Sequence, residues 1–333
     1  MKISLVVCTY MRPESLKNLL KTVVLQSKIP DEVLIIDGST NDETKSMLAI
    51  EKFETLNLHY FKVSDDQRGL TKQRNFGVAH VAEEMEVVAF LDDDTELDSR
   101  YFYEINKTFE ENKDAIGVSG YITNEVKWER INTSNTSFGY FTIDGWSRRD
   151  DLRIRLRKIL GLMPNVQPST IGPYANERAV GSLPPSGKVY KVDYLQGAMM
   201  AYRKSIFEKL SFSHYFEGYG LYEDKDFSLH ARKYGPHYID TNAKLAHYHD
   251  PLGRPNYIEY GKMTIRNGWR VWRVAIENPS VINIFRWYIV STLLMYSRLG
   301  GFIKGPDRKK ALEEFIGRHL GLISLLFKKP SLD

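Results

Sequence analysis

The protein has 333 residues, of which 42% are hydrophobic and 26% are charged, and its formal net charge at pH 7 is +4. This composition is typical of a soluble globular protein and is large enough for one big domain or two. The small net charge argues against a general nucleic-acid binder, so we expect no nucleic-acid partner.

The N-terminal segment, Met1-Lys2-Ile3-Ser4, runs directly into an apolar stretch. It lacks the apolar region and the cleavage site of a signal peptide. The single cysteine, Cys8, excludes an internal disulfide framework and is expected to be a buried structural thiol. These features predict a protein of the reducing cytoplasm.

Strands and helices are predicted to alternate over the first 122 residues. Apolar runs typical of strands cover residues 3–7, 33–36, 58–63, 87–91 and 116–122. Between these runs, apolar residues at helical spacing predict helices. The first of these helices has Pro13 in its first turn, and the last covers residues 99–111. This alternation predicts an α/β fold with a mostly parallel, twisted sheet and helices on both faces.

The run over residues 87–91 ends in three adjacent carboxylates, Asp92, Asp93 and Asp94. Ligands of open α/β sheets bind beyond the carboxyl ends of the strands, where this cluster is expected. Because alternate residues of an extended segment point the same way, Asp92 and Asp94 are predicted to converge while Asp93 faces elsewhere. Such oxygen ligands suit Mg²⁺ or Mn²⁺. A solvated acidic turn that caps the next helix is the alternative.

Two other polar residues lie near predicted strand ends. Asp37 follows the run over residues 33–36, where its carboxylate is able to accept hydrogen bonds from a ribose or a base; a capped turn is the alternative. Arg74 lies in a basic segment before the acidic strand, and its guanidinium matches the oxygens of a diphosphate. An exposed helix face is the competing interpretation of that segment.

Residues 124–188 lose periodicity and become rich in glycine, proline, serine and asparagine. A long irregular segment in a compact domain is usually functional or mobile. Within it, residues 150–160 predict a basic amphipathic helix. This helix would lie on an anionic membrane, cover the active site, or pack on its own domain.

Order returns with a strand predicted over residues 190–195. Gly197 follows among small residues and methionines, which suit either a bound ligand or a core strand. Glu223 and Asp224 begin a predicted helix, either as acids favoured by the helix dipole or with a general base facing a glycine-lined acceptor pocket. His247 and His249 alternate at a later strand end, as structural histidines or as further metal ligands.

In this order and spacing, the motifs resemble those of glycosyltransferase family 2 proteins, which have the GT-A fold. The resemblance extends from Ile3 to about Asn267. It is carried by these segments: Val7-Cys8-Thr9-Tyr10-Met11-Arg12, Asp37-Gly38-Ser39 with Asp42, Gly69 with Arg74-Asn75-Phe76-Gly77, Asp92-Asp93-Asp94, Gly197, and Glu223-Asp224.

The resemblance implies a nucleotide-sugar donor on one side of the site. Thr9 and Asp37 would bind the nucleotide, and Asp92 would contact its ribose. Arg74 would lie near the diphosphate or the donor sugar. The remaining residues implied to bind substrate are Tyr10, Arg12, Gly69, Asp93 and Gly197. A single acid precedes Gly38 where the family often has two, which leaves the identity of the base open.

The resemblance also implies a metal and a catalytic base. Asp94 would coordinate Mn²⁺ or Mg²⁺, with His247 or His249 as a further ligand. Asp224 would be the base, and Glu223 would orient the acceptor or share that task. One base and no evident enzymic nucleophile favour direct displacement with inversion.

The predicted reaction moves a sugar to a hydroxyl of a saccharide or a lipid-linked saccharide, in the synthesis of a surface polysaccharide or glycan. One alternative is a nucleotidyltransferase that forms sugar nucleotides, although no Gly-rich phosphate loop follows Val7. The other alternative is a non-catalytic carbohydrate-binding relative.

We predict a catalytic domain over residues 1–255, with a nucleotide-binding half (1–123), a variable insertion or lid (124–188) and an acceptor half (189–255). Residues 256–333 are predicted to form a helical region. Its most apolar run, residues 287–296, is too short to span a membrane, but its aromatic and arginine flanks suit an interfacial helix at the inner face of the cell membrane. Packing on the sheet, or a dimer contact in a homo-oligomer, is the alternative.

Overall fold

The computed structural model describes residues 1–131, 138–174, 178, 181, 183–250, 252 and 255–332. Its strands are β1 (Ile3–Thr9), β2 (Glu32–Asp37), β3 (Leu58–Lys62), β4 (Val87–Asp92), β5 (Thr95–Leu97), β6 (Gly117–Ile122), β7 (Glu129–Arg130), β8 (Tyr140–Ile143), β9 (Trp146–Arg149), β10 (Val189–Val192), β11 (Met199–Arg203) and β12 (His237–His247). Its α-helices are α1 (Pro13–Val24), α2 (Glu43–Glu51), α3 (Leu70–Ala79), α4 (Tyr101–Glu111), α5 (Leu152–Ile159), α6 (Glu223–Ala231), α7 (Tyr257–Ala275), α8 (Val281–Lys304) and α9 (Arg308–Phe327).

Contacts divide the chain into two compact units. The first unit comprises Met1–Lys127 and Val180–Gly253, and the second comprises Trp128–Ala179 and Arg254–Asp333. The predicted catalytic domain, with its boundary at residue 255 and its insertion over residues 124–188, is a functional assignment and stays a prediction.

The first unit is built on a mixed sheet with the strand order β10-β12-β6-β11-β4-β1-β2-β3. Strand β1 pairs in parallel with β2 and with β4, and β2 pairs in parallel with β3. Strand β11 lies antiparallel between β4 and β6. The strands β2 and β4 are buried along almost their whole length, as expected of central parallel strands covered on both faces. The predicted α/β fold is confirmed, while the sheet is mixed, with four parallel and four antiparallel strand pairings among the described residues.

The register brings several strand ends to one edge of this sheet. Cys8 pairs with Asp92 and Thr9 pairs with Asp37, so β1, β2 and β4 end side by side. A turn after Asp92 then leads to β5, which pairs antiparallel with the end of β12. Cys8 is half-buried rather than fully buried, and burial raises the pKa of its thiol to about 12.

Most predicted elements are present with small changes in their boundaries. Helix α1 starts at Pro13 and buries its apolar stripe, while α4 begins two residues later than predicted because the amide of Arg100 donates to Asp98 outside the helix. The strand predicted over residues 190–195 ends at Val192. Residues 199–203 form the core strand β11, which was one of two interpretations of that segment.

In the second unit, β7, β9 and β8 form a small antiparallel sheet, and α5 follows it as predicted. The expectation of an irregular segment was therefore wrong for these residues, because strands of two to four residues are too short to show a period. The core of this unit is rich in tryptophan, with Trp269, Trp272 and Trp287 among its buried residues. In the described part of the chain, no helix combines the length and apolar character required to cross a membrane.

Candidate functional site

Two carboxylates and one imidazole meet at the C-terminal end of β4. Oδ1 of Asp94 lies 3.1 Å from Nε2 of His247, and Oδ2 of Asp92 lies 3.9 Å from the same nitrogen. The pairing of β5 with β12 brings them together, since it places His247 opposite Thr95, the residue after Asp94. The predicted convergence of Asp92 and Asp94 is confirmed, and the three side chains are spaced as a group able to hold a metal ion.

Asp94 is fixed by a backbone amide through one oxygen, and its other oxygen faces the imidazole of His247. Oδ2 accepts from the amide of Asp250 at 2.7 Å, whereas Oδ1 is buried and accepts no hydrogen bond from any described residue. Burial alone would raise the pKa of Asp94, but His247 and the Asp250 amide lower it to about 2. A buried, ionised oxygen without an aligned hydrogen bond is the kind of atom that a cation would satisfy.

His247 lies against this oxygen and is 8% exposed. Burial lowers the pKa of its imidazole, but Asp94 and Glu125 outweigh that effect and raise the pKa to about 10. A divalent cation held between Asp94 and His247 would take the place of the imidazole proton. Carboxylate oxygens with one imidazole suit Mn²⁺, and Mg²⁺ would rely more on water and phosphate oxygens, so the residues fit the expected metal.

Asp93 faces away from this group, as the alternation of the strand predicts. Its carboxylate accepts a hydrogen bond from the hydroxyl of Thr9 at 2.7 Å and one from Arg12 at 3.0 Å. Burial raises the pKa of Asp93 to about 7, against the lowering effect of Arg12. Arg12 also lies 3.8 Å from Asp94, so it neutralises the acidic turn from one side. Direct contacts of these three residues with a substrate stay predictions.

Arg74 connects the end of β4 with the start of α6. Its guanidinium forms an ion pair with Glu223, donates to the carbonyl of Gly197 at 3.0 Å, and lies 3.5 Å from Oδ1 of Asp92. The side chain is 2% exposed and lies over two aromatic rings. Asp92 and Glu223 are therefore held in one site by a shared arginine, while the predicted contact of Arg74 with a diphosphate stays untested.

Glu223 and Asp224 begin α6, as predicted, but their environments differ. Asp224 is half-buried, and its Oδ2 accepts from the amide of Gly197 at 2.7 Å. Burial raises the pKa of Glu223 to about 8, although Arg74 acts to lower it. Oε2 of Glu223 accepts no hydrogen bond from the described residues. Asp224 is thus held by a backbone amide near solvent, whereas Glu223 is buried against the guanidinium of Arg74.

Three further predicted site residues also belong to the first unit. Asp37 is fully buried at the end of β2, where it accepts from the hydroxyl of Tyr60 at 2.9 Å. Tyr10 is 37% exposed. Gly69 precedes α3 with φ of +122°, in a region that favours glycine, and a Cβ there would lie 3.1 Å from the amide nitrogen of Gly218. Their predicted contacts with the nucleotide or the sugar stay predictions.

Sequence analysis did not identify Glu125. Its Oε1 lies 3.0 Å from Nε2 of His249 and 3.5 Å from Nδ1 of His247. His247 is thus the histidine that faces Asp92 and Asp94, whereas His249 is grouped with Glu125. Glu125 belongs to no motif, and its one signal was its position three residues beyond the end of β6, beside β12.

Comparison with known families and proteins gives two matches in sequence. The model of the family described as "Glycosyl transferase family 2" matches residues 4–211, which is well over half of the chain. Glucosyl-dolichyl phosphate glucuronosyltransferase of Haloferax volcanii is 31% identical over 123 residues, which are 36% of this chain and 38% of that protein. The matched stretch thus spans well under half of that relative.

Solved structures match over nearly the whole chain. The mannosyltransferase PcManGT of Pyrobaculum calidifontis has a TM-score of 0.57 at 12% identity, covering 97% of this chain and 87% of that one. GalNAc-T7 has a TM-score of 0.55 at 16% identity, covering 96% and 55%. S. aureus TarS has a TM-score of 0.50 at 17% identity, covering 96% of this chain and 49% of its own. At these identities the likeness concerns the fold, and the expected GT-A fold is confirmed.

Proposed function

The chain belongs to glycosyl transferase family 2, and we propose that it transfers a sugar from a nucleoside-diphosphate donor to an acceptor hydroxyl, with inversion at the sugar carbon. The observation that carries this proposal is the position of Arg74. Its guanidinium pairs with Glu223 and lies 3.5 Å from Asp92, so the acids for the donor and the acids for the acceptor share one site. A binding protein that performs no chemistry would have no need for both sets together.

We assign the donor cation to Asp94 and His247, with Asp92 beside them. Mn²⁺ or Mg²⁺ bound there would neutralise the charge that develops on the departing diphosphate. Asp94 supplies an ionised oxygen that accepts no hydrogen bond from the described residues, and the amide of Asp250 fixes its direction through the other oxygen. Arg12 holds Asp93 away from this cation and adds positive charge beside it.

We assign the general base to Asp224. A carboxylate is able to accept the proton of a hydroxyl as that hydroxyl attacks. The amide of Gly197 holds one oxygen of Asp224 at 2.7 Å, which fixes its orientation. Glu223 would orient the acceptor through Oε2, while Arg74 fixes its other oxygen. Because a single base serves this step and no enzymic nucleophile is assigned, we propose direct inversion.

The donor nucleotide would lie along the ends of β1 and β2. We assign contacts with it to Thr9, Tyr10 and Asp37, and a ribose contact to Asp92. The matched structures include complexes with GDP-Man and with UDP, which are nucleoside diphosphates with different bases. The carboxylate of Asp37 is able to accept from the ring N–H of either base, so we propose a nucleoside diphosphate without choosing the base.

We propose a saccharide or lipid-linked saccharide as the acceptor, with the protein attached peripherally to an anionic membrane surface. The observation that supports membrane attachment is the exposed side of α5, which carries Leu152, Leu156 and Ile159, with exposed Leu160 directly after the helix. These positions follow helical spacing and form one apolar stripe, and Arg153 beside it is also exposed. An apolar stripe flanked by cations is typical of helices that lie in a membrane interface. The matched H. volcanii relative is named for a dolichyl-phosphate substrate.

Sugar transfer is tested by incubating the full chain with labelled nucleotide sugars and Mn²⁺. We expect Asp94→Asn and Asp224→Asn each to lower the rate about 10²-fold or more with the fold intact by circular dichroism. Asp66→Asn, at an exposed acid outside the site, is the matched control and should keep the wild-type rate. Wild-type activity in Asp94→Asn or Asp224→Asn would refute the assigned role. Release of pyrophosphate instead of a nucleoside diphosphate would identify a nucleotidyltransferase.

Membrane attachment is tested by flotation with vesicles that contain anionic lipid, whose negative surface potential attracts basic segments. We expect the wild-type chain to float and the double variant Leu156→Asp/Ile159→Asp to stay at the bottom. Leu25→Asp/Ile50→Asp, which alters two exposed apolar residues of the first unit, is the control and should float. Equal flotation of all three proteins would refute the role of α5.

A further inference from the structure

A second group of metal-binding side chains lies on the far side of His247. It consists of Glu125, His249 and the Nδ1 nitrogen of His247, and we refer to it as the Glu125 cluster. Oε1 of Glu125 is 3.0 Å from Nε2 of His249 and 3.5 Å from Nδ1 of His247. The two imidazole rings lie with their centroids 3.9 Å apart. All three side chains belong to the first compact unit.

The spacing of the Glu125 cluster suits a tetrahedral ion. Two ligand atoms at the usual zinc distances and a tetrahedral angle lie about 3.3 Å apart. The two distances from Glu125 fall on either side of that value. Two imidazole nitrogens with one carboxylate oxygen are a typical zinc donor set, whereas Mg²⁺ prefers oxygen alone. Glu125 and His249 are 25% and 51% exposed, so an ion from solution has access.

An independent observation concerns Nδ1 of His247. This atom is buried and makes no hydrogen bond to any described residue, and the side chain is 8% exposed. Buried ring nitrogens are normally hydrogen-bonded or bound to a metal. The nitrogen lies on the side of Glu125, where a bound ion would satisfy it. Its charged neighbour is Oε1 of Glu125 at 3.5 Å, an ion-pair distance without an aligned hydrogen bond.

We propose that Glu125, His247 and His249 form a second cation site, selective for zinc-like ions, which competes with the donor cation for His247. A neutral imidazole has one lone pair and one N–H, so it binds a metal through one ring nitrogen at a time. When Nε2 binds the donor cation, Nδ1 carries the proton and faces Glu125. When Nδ1 binds zinc, Nε2 carries the proton and faces Asp94.

Zinc in the Glu125 cluster would therefore remove one ligand from the donor cation and inhibit transfer. This consequence rests on the proposed function, because it takes His247 as a ligand of the donor cation. Zinc binding itself does not depend on sugar transfer. The two statements are therefore tested separately, first by binding to the full chain without donor and then by competition with Mn²⁺.

The binding experiment is isothermal titration of Zn²⁺ into the full chain at pH 7. We expect one strong site, weakened at least 10-fold in His249→Asn and in Glu125→Gln and retained in Asp94→Asn. His214→Asn is the matched control, because His214 also lies 3.0 Å from a glutamate, Glu217, but is assigned to no cluster. Equal zinc affinity in all five proteins would show adventitious binding and overturn the proposal. So would loss of zinc binding in Asp94→Asn alone.

The competition experiment measures Mn²⁺ bound to the full chain by electron paramagnetic resonance. We expect added zinc to weaken Mn²⁺ binding about 10-fold or more in the wild type and to have no effect on it in His249→Asn. Unchanged Mn²⁺ affinity at saturating zinc in the wild type would overturn the competition. A chain that shows both effects but transfers no sugar would contradict the proposed function and leave the zinc site supported.

Discussion

Gly197→Ala should impair catalysis through a displacement of the two acids that begin α6. The amide of Gly197 donates to Asp224, and its carbonyl accepts from Arg74, so the residue supports both sides of the site. A Cβ at this position would lie 3.1 Å from Cβ of Asp224 and 3.2 Å from Oε1 of Glu223. The φ angle of Gly197 is outside the left-handed region, so the backbone accepts alanine and the conflict falls on the side chains.

The size of the effect follows from these distances. Contacts of 3.1–3.2 Å require the acids to shift by a few tenths of an ångström. Such overpacking costs about 1–3 kcal/mol of folding stability. A displacement near 1 Å lowers a rate by about 10²-fold, so this smaller one should lower kcat by about 3-fold to 10-fold. The donor affinity should stay unchanged, because neither conflicting atom belongs to the residues assigned to the nucleotide.

The assay is initial-rate kinetics at saturating donor and acceptor, with donor affinity measured separately by titration. Gly300→Ala is the matched control, since a Cβ at Gly300 would meet no atom within 4 Å among the described residues, and it should keep the wild-type kcat. A Gly197→Ala protein that folds and has the wild-type kcat would refute the assignment of Asp224 and Glu223. Loss of donor binding with an unchanged kcat would also contradict this assignment, because the substitution would then disturb the nucleotide site and not the two acids.

Three further predictions concern stability and are measured by urea denaturation. Arg74→Met should lower the unfolding free energy by about 3–5 kcal/mol, since it leaves the carboxylate of Glu223 buried without its partner; a loss under about 1 kcal/mol would disprove the buried pair. Tyr60→Phe removes the hydroxyl that donates to buried Asp37 and should cost about 1.5–3 kcal/mol, whereas an unchanged stability would show that this hydrogen bond is not formed. Burial lowers the pKa of His237 from 6.5 to about 3, so below pH 6.5 the unfolded chain binds a proton that the folded chain does not. The unfolding free energy should therefore fall by about 1.4 kcal/mol per pH unit between pH 6 and pH 4, and this slope should be smaller by that amount in His237→Leu; equal slopes in both proteins would refute it.

The central sheet and the acidic strand end were predictable because they depend on local patterns. Continuous apolar runs marked β1, β2 and β4, and the two-residue period of an extended chain separated Asp92 and Asp94 from Asp93. The helix start at Glu223 followed from its position before an apolar face. Each of these inferences uses residues within about ten positions of one another.

Features that depend on distant parts of the chain were not predictable. Glu125 contacts His247 only because β6 and β12 are neighbours in parallel, which no local pattern indicates. The strands β7 to β9 are too short to show a period. Arg74 was interpreted as a phosphate ligand or an exposed residue, because its burial depends on Gly197 and Glu223, more than 120 residues later.

The chain leaves its first compact unit after Lys127 and returns to it at Val180. Every residue assigned here to the nucleotide, the cations or the base belongs to that unit, while α5 belongs to the inserted segment. The inserted segment shares its compact unit and its hydrophobic core with the C-terminal stretch Arg254–Asp333, so the two stretches form one exchangeable part. Homologues would thus be able to acquire new targets through this part while inheriting their reaction unaltered, and chimaeras that exchange both stretches together are a practical route to redirecting the enzyme.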